Sequence, residues 1–114
     1  MTKRYFLLVI ATAFTLAVNG QKVFVVDYAS QADVKVFTVK YESQADLTVY
    51  LVDYASQVDQ DGKWYFVEYA SQADKKIYFV EYESQADLKI YYVEYASQAE
   101  WKNPNKKHLM ASQN

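Results

Sequence analysis

The sequence has no cysteine, one proline and two glycines among its 114 residues. Without cysteine there can be no disulfide framework and no lipid attached through a cysteine side chain, so packing alone must stabilise the fold. Few glycines and prolines, combined with 18% aromatic residues, argue against a disordered linker. The lysines form no basic block, so a nucleic-acid partner is not expected.

The first twenty residues have the pattern of a secretory signal peptide. Lys3 and Arg4 precede an uncharged apolar stretch, residues 5–18, and Val18-Asn19-Gly20 places small residues where a signal peptidase cleaves. The alternative is a single membrane anchor, but a spanning helix needs about 20 apolar residues. We therefore predict a signal peptide over residues 1–20, cleavage before Gln21, a secreted or periplasmic protein, and no membrane association after cleavage.

The predicted mature chain, residues 21–114, has the length of one domain. Its acidic residues outnumber its lysines, and charges of both signs are interleaved along it. Its dominant feature is a repeat of about 13 residues, in which an alternating segment ends at a tyrosine followed by a phrase such as "ASQAD". The repeat tyrosines are Tyr28, Tyr41, Tyr54, Tyr69, Tyr82 and Tyr95.

Each repeat begins with a segment that alternates with the period of a β-strand. One face reads aromatic, valine, tyrosine in every unit, as in Phe24-Val26-Tyr28 and Tyr78-Val80-Tyr82. The other face has two apolar positions and then a charge in most units, as in Val23-Val25-Asp27. Residues of these types favour strands. We predict that the aromatic-valine-tyrosine face forms the core and that the other face is half covered.

The phrases between the strands predict wide corners, because tight two-residue hairpins need glycine or asparagine at positive φ. Serine and aspartate can bond nearby backbone N–H groups, and glutamine can satisfy backbone groups of a turn. We assign structural corner roles to three sets of residues. The serines are Ser30, Ser43, Ser56, Ser71, Ser84 and Ser97. The glutamines are Gln31, Gln44, Gln57, Gln72, Gln85 and Gln98. The aspartates are Asp33, Asp46, Asp59, Asp74 and Asp87, with Glu100 in the last unit.

A larger period groups the six units into two sets of three. Residues 22–62 match residues 63–103 at 23 of 41 positions, and Glu42 and Glu83 replace alanine in the middle unit of each set. Six nearly equivalent units suggest six nearly equivalent places, as in a ring. We therefore predict an all-β domain in which the chain goes twice round a three-sided ring, with corresponding sides together and no exposed edges. After Asn103-Pro104-Asn105, Leu109 and Met110 predict a packed last strand.

Tandem "YxSQAD" units, "LKIYYVEY"-like strands and the closing "WKN…KKHLM" together resemble the septoil knot family. The resemblance covers residues 22–110, nearly the whole mature chain. It implies a small single β-rich domain whose backbone forms a torus knot with seven crossings, although knots are essentially absent among folds in general. It implies no activity, cofactor or ligand, since the family has no established function.

The residue pattern favours no enzymatic site. A catalytic triad would need His108, the only histidine, and the candidate serines occupy six equivalent corners, whereas a nucleophile occupies one special place. The recurring carboxylates could bind calcium, but calcium-binding β-repeats pair them with glycine-rich turns. We therefore predict no enzyme, catalytic residue, metal or cofactor.

The composition and repeats predict a secreted, highly stable, protease-resistant, non-enzymatic monomer with a structural or interaction role. Its partner is unknown from the sequence. The alternative is an extracellular glycan- or protein-binding module that uses exposed aromatic residues. For that alternative we predict surface contacts at Trp64, Tyr92 and Trp101.

Overall fold

A computed structural model describes residues 20–111, which form seven strands joined by short 3-10 turns. Apart from Gly20, the predicted signal peptide lies outside the described residues. The strands are β1 (Gln21–Val25), β2 (Val34–Thr38), β3 (Leu47–Leu51), β4 (Lys63–Phe66), β5 (Lys75–Phe79), β6 (Leu88–Tyr92) and β7 (Glu100–Trp101). The 3-10 turns are Ala29–Gln31, Glu42–Gln44, Ala55–Gln57, Ala70–Gln72, Glu83–Gln85, Ala96–Gln98 and Pro104–Met110. The wide corners predicted from the sequence are therefore confirmed as 3-10 turns.

The first six strands form a closed, parallel barrel. The sheet order is β4-β1-β5-β2-β6-β3-β7, and an additional pairing of β3 with β4 closes the ring. Strands β1 to β3 belong to the first set of three repeats and alternate in the ring with β4 to β6 of the second set. The predicted fold class is confirmed: the chain goes round the ring twice, and corresponding strands of the two laps are neighbours.

Each connection between consecutive strands of one lap skips one strand of the ring. The connection from β1 to β2 crosses β5, because β5 lies between them, and the 3-10 turn Ala29–Gln31 contacts β5. The same relationship recurs around the ring, ending with the turn Ala96–Gln98, which contacts β3 on the way to β7. Parallel strands require such crossover connections. The connection from β3 to β4 instead joins neighbouring strands, and this single step places the strands of the second lap between those of the first.

The barrel interior is filled from the face that the sequence analysis predicted to be half covered. The innermost layer has one residue from each strand, all 0% exposed: Val23, Val36, Val49, Trp64, Ile77 and Ile90. The next layer lies two residues earlier and is also buried: Gln21, Val34, Leu47, Gly62, Lys75 and Leu88. Small branched residues predominate because the inward side chains of six strands share one narrow interior.

The predicted core face is instead the outer face of the barrel, so that prediction was wrong. Its first two positions are covered at least in part, as for Phe24 and for Val26 at 7% exposure, because the crossing turns pack on the outside of the strands. The repeat tyrosines lie where the chain leaves the barrel wall to begin a turn. They are between 61% and 68% exposed.

The two ends of the barrel differ. The end where the strands begin is closed by residues 101–110, with Met110 buried in the core cluster and Trp101 and Leu109 packed against it. Gln21 Nε2 donates a hydrogen bond to the Met110 carbonyl oxygen at 2.7 Å. The predicted packing of the tail is thus confirmed, but Pro104–Met110 is a 3-10 helix and not the predicted strand. Proline at its first turn fits a helix start.

Strand β7 lies beside β3, close to the insertion at residues 60–62. It pairs antiparallel to the first residues of β3, whereas the last residues of β3 pair with β4. Gly62 sits at this junction with φ of 88°. A β-carbon on Gly62 would lie 2.7 Å from the Thr48 carbonyl oxygen and 2.9 Å from Ala99 Cβ, so only glycine fits.

Candidate functional site

The glutamine of each corner joins the two ends of its 3-10 turn. Gln31 donates its backbone N–H to the Tyr28 carbonyl at 3.0 Å, and Tyr28 donates its own N–H to Gln31 Oε1 at 3.3 Å. The side-chain bond recurs at Gln57, Gln72, Gln85 and Gln98. Gln44 makes only the backbone bond, to Tyr41. These glutamines are exposed, so they satisfy a surface turn and not a buried one.

The corner serines are exposed, and within residues 20–111 none of the six hydroxyl groups makes a hydrogen bond. The serine-to-backbone bonds predicted from the sequence are therefore absent from the turns. The turns are closed instead by the bond from the N–H that follows each glutamine, as when Ala32 donates to the Ala29 carbonyl at 3.1 Å. The serine is small and polar, so this side of the turn stays accessible to water.

The corner aspartates connect the two laps. Lys76 on β5 donates its backbone N–H to Asp33 Oδ2 at 2.9 Å, and Asp33 donates its N–H to the Lys76 carbonyl at 2.8 Å. Three further pairs repeat this exchange, namely Asp46 with Lys89, Asp74 with Lys22, and Asp87 with Lys35. The sequence predicted that each aspartate bonds backbone N–H groups near its own corner. The partner is instead a backbone group of the other lap.

The remaining two corners, at Asp59 and Glu100, do not make this exchange. Thr48 occupies the lysine position of β3, and its hydroxyl accepts the Glu100 N–H at 2.9 Å and donates to the Gln98 carbonyl at 2.7 Å. Asp59 lies in the corner with the insertion and accepts from Lys63 Nζ at 2.9 Å. That hydrogen bond, followed by the attraction of the ammonium charge, lowers the pKa of Asp59 below 3.8.

Asp46 also anchors the tail. It is 6% exposed, and its carboxylate accepts from Lys89 N at 2.8 Å and from Asn103 Nδ2 at 3.3 Å. Its carbonyl accepts the backbone N–H groups of Lys102 and Asn103. Of the corner aspartates it is the one buried by the closing segment. These contacts hold the tail against the closed end of the barrel.

The aromatic residues predicted as surface contacts are not a shared surface. Trp64 is fully buried in the innermost layer, so the prediction of an exposed contact there was wrong. Its position corresponds to Val23 of the first lap, which points into the barrel. Tyr92 and Trp101 are half-buried, and Trp101 packs against the core cluster. Burial raises the pKa of Tyr92 above 10.0, and a hydrogen bond with Thr38 opposes this rise.

The most exposed large apolar residues outside the repeat tyrosines lie at the end where the strands finish. They are Val25 at 41%, Leu51 at 43% and Phe66 at 36% exposure. These residues continue the inward face beyond the innermost layer, on the neighbouring strands β3, β4 and β1. This group was not predicted from the sequence. The sequence does carry a signal for it: in five of the six units, the inward face has an apolar residue two positions before its charged residue.

Three further observations concern chemistry. His108 is exposed, and its Nδ1 lies 3.1 Å from the Asn105 carbonyl oxygen. Over residues 20–111, no three histidine, cysteine or acidic side chains lie close enough together to hold a metal ion. The same part of the chain contains no helix long and apolar enough to cross a membrane.

A closed barrel wound twice, with a crossed strand at each connection within a lap and the tail packed into one end, defines a knotted all-β repeat protein. The chain belongs to the family of the 7(1) septoil knot domain, whose family model matches residues 20–102. The resemblance seen in the "YxSQAD" repeats is therefore confirmed. No curated protein matches the chain.

Proposed function

We propose that this protein is a secreted or periplasmic, non-enzymatic domain that resists unfolding and proteolysis and acts through its surface. The closed, doubly wound barrel carries the proposal. To unfold completely, the chain must lose its strand pairing and also withdraw its tail through the windings. Such a route predicts slow unfolding, and the unfolding rate governs survival when proteases cleave faster than the chain recloses.

Within residues 20–111, the lack of a side chain in a distinctive reactive environment supports a non-enzymatic role. The six serines occupy equivalent exposed turns, and four of the aspartates share one structural hydrogen-bonding pattern. A catalytic group normally has a special environment that perturbs its pKa. Here the two perturbed groups are Asp59, which pairs with Lys63, and Tyr92, which is half-buried.

The experiment compares the intact domain with a nicked form, in which the backbone is cleaved at one site and the folded contacts are kept. A recognition sequence for a specific protease is inserted between Asp59 and Gln60, in the corner that already carries an insertion. Unfolding rates in guanidinium are measured before and after cleavage of this site. We expect the intact insertion variant to unfold slowly and to resist a nonspecific protease, and the nicked form to unfold at least tenfold faster. Equal rates, or rapid digestion of the intact domain, would contradict the proposal.

A second candidate is glycan binding by the repeat tyrosines. Six phenol rings at equivalent positions, each more than 60% exposed, could stack against sugar rings. The test is calorimetric titration with soluble polysaccharides, comparing wild type with a Tyr28→Ser, Tyr41→Ser, Tyr82→Ser variant. The matched control is Tyr50→Phe, at a half-buried tyrosine. Binding unchanged by the triple substitution would exclude Tyr28, Tyr41 and Tyr82 as the contact.

A further inference from the structure

The open end of the barrel is a ring of six equivalent positions, one from each strand. They are Val25, Thr38, Leu51, Phe66, Phe79 and Tyr92. Each follows an innermost-layer residue by two positions, so it belongs to the same inward face. The opposite end is closed by Met110 and the tail, whereas no segment of residues 20–111 covers this ring completely, since Val25 and Leu51 are more than 40% exposed.

The exposed apolar residues of the ring lie on one side, whereas Phe79 and Tyr92 are half-buried. Val25, Leu51 and Phe66 lie on β1, β3 and β4, which are neighbours in the barrel, and we call these three residues the apolar triad. Thr38 lies on β2, across the ring, where it bonds with the half-buried Tyr92. Isolated exposed apolar residues need no explanation, but a contiguous group marks a contact surface.

Carboxylates follow the apolar triad just beyond the ends of the strands. Two residues beyond each member come Asp27, Asp53 and Glu68, and all three are exposed. Within the described part of the chain, none of them has an ion-pair partner. Across the ring the corresponding residue of β2 is Lys40. The corresponding residues of β5 and β6 are Glu81 and Glu94, so five of the six rim positions are acidic, three of them follow the apolar triad, and Lys40 is the one basic residue.

The acidic charge of the rim and the position of the described chain ends limit what can bind at the open end of the barrel. A second copy docking end to end would bring these carboxylates together, and like charges across an interface are costly. The described chain ends at residues 20 and 111, next to the closed end, so neither terminus begins near the triad. A partner with basic residues beside apolar ones would match both the apolar triad and its acidic border.

We propose that the open end of the barrel binds a cationic amphipathic segment of another protein, with its apolar side chains on Val25, Leu51 and Phe66 and its Lys or Arg side chains against Asp27, Asp53 and Glu68. This surface shares no residue with the repeat tyrosines, so the inference is independent of glycan binding.

The test uses a short synthetic peptide of alternating lysine and leucine, titrated into the domain and followed by calorimetry. One control peptide replaces lysine with glutamate, and the other replaces leucine with serine. We expect only the lysine-leucine peptide to bind, with affinity that falls at least tenfold between about 0.05 M and about 0.5 M salt because exposed charges are screened. Equal binding of the glutamate-leucine peptide, or no binding of the lysine-leucine peptide, would overturn the inference.

Matched variants locate the contact. The variant Asp27→Asn, Asp53→Asn, Glu68→Gln should bind the peptide about tenfold more weakly, which corresponds to about 1.4 kcal/mol. The control Glu42→Gln, Glu83→Gln, Glu100→Gln makes the same change in net charge at other positions and should change affinity less than twofold. The variant Val25→Thr, Leu51→Thr, at exposed strand positions, should also weaken binding about tenfold. Equal losses in the control would show attraction by net charge alone and would contradict a site at the open end.

Discussion

Asp33 and Lys76 exchange two hydrogen bonds between the two laps of the chain. Lys76 N–H lies 2.9 Å from Asp33 Oδ2, and Asp33 N–H lies 2.8 Å from the Lys76 carbonyl oxygen. The carboxylate thus extends the strand ladder by one bond beyond the backbone. Because three other aspartates do the same, the repeated phrase sets the register of one lap against the other.

Removing the Asp33 carboxylate should weaken the connection between laps. Asp33→Ala leaves the Lys76 N–H without its protein acceptor, and we expect the free energy of unfolding to fall by about 1–2 kcal/mol. Guanidinium denaturation at equilibrium measures the change. Asp27→Ala is the control, since its exposed carboxylate has no ion pair among the described residues, and it should stay within about 0.5 kcal/mol of wild type. Equal effects would contradict a special role for the corner carboxylate.

Shortening Met110 should loosen the closed end of the barrel. Its side chain is 2% exposed within the core cluster, so Met110→Ala leaves a cavity and should destabilise the fold by about 2–4 kcal/mol. The unfolding rate in guanidinium should rise as well, since the tail is then held less firmly. His108→Ala, at an exposed residue of the same 3-10 helix, is the control and should have little effect. Unchanged stability in Met110→Ala would show that the tail does not close the core.

The carboxyl group of Asp59 should titrate below 3.8 because of its hydrogen bond and charge interaction with Lys63. A depressed folded-state pKa means that the pair contributes stability above 3.8 and loses it as the pH falls through the lower value. NMR titration of the side-chain carboxyl carbon measures this directly. In Lys63→Met the pKa of Asp59 should move back up toward 3.8. A titration unchanged by that substitution would rule out Lys63 as the cause.

The phenol of Tyr92 should ionise above 10.0, because burial disfavours the charged phenolate. A raised folded-state pKa means that this contribution to stability is complete below 10.0 and is lost as the pH rises through the higher value. In ultraviolet titration, Tyr92→Phe should remove a late-ionising tyrosine. Thr38→Val removes a bond that lowers the pKa, so the same tyrosine should ionise still later. Earlier ionisation in Thr38→Val would contradict this assignment.

Much of the architecture could be predicted from the repeats. The tyrosine spacing and the match between residues 22–62 and 63–103 predicted six strands in two laps with corresponding sides together, and the barrel has this arrangement. The lack of glycine in the corners excluded tight hairpins, and the corners are 3-10 turns. The closing "WKN…KKHLM" predicted a packed tail, although its helical form could not be read from two apolar residues.

The inward face could not be predicted from alternation, because both faces of the strands carry apolar residues. Aromatic residues and tyrosines made one face look more like a core, yet the structure buries Val23 and Ile77 and exposes Tyr28. For the same reason Trp64, which aligns with Val23, was wrongly assigned to the surface. The apolar triad escaped notice because its members are far apart in sequence and are brought together only by the order of the strands.

The sequence by itself determined the local units, since strand alternation and hydrogen bonding within a corner depend on residues a few positions apart. It also determined the number of laps, because the repeat has a second period. The tertiary structure decided which face was inside, since a closed six-strand barrel has little interior space and its crossing turns cover the outside. It also decided that each corner aspartate bonds to the other lap, because closure places backbone groups 43 or 52 residues away beside it.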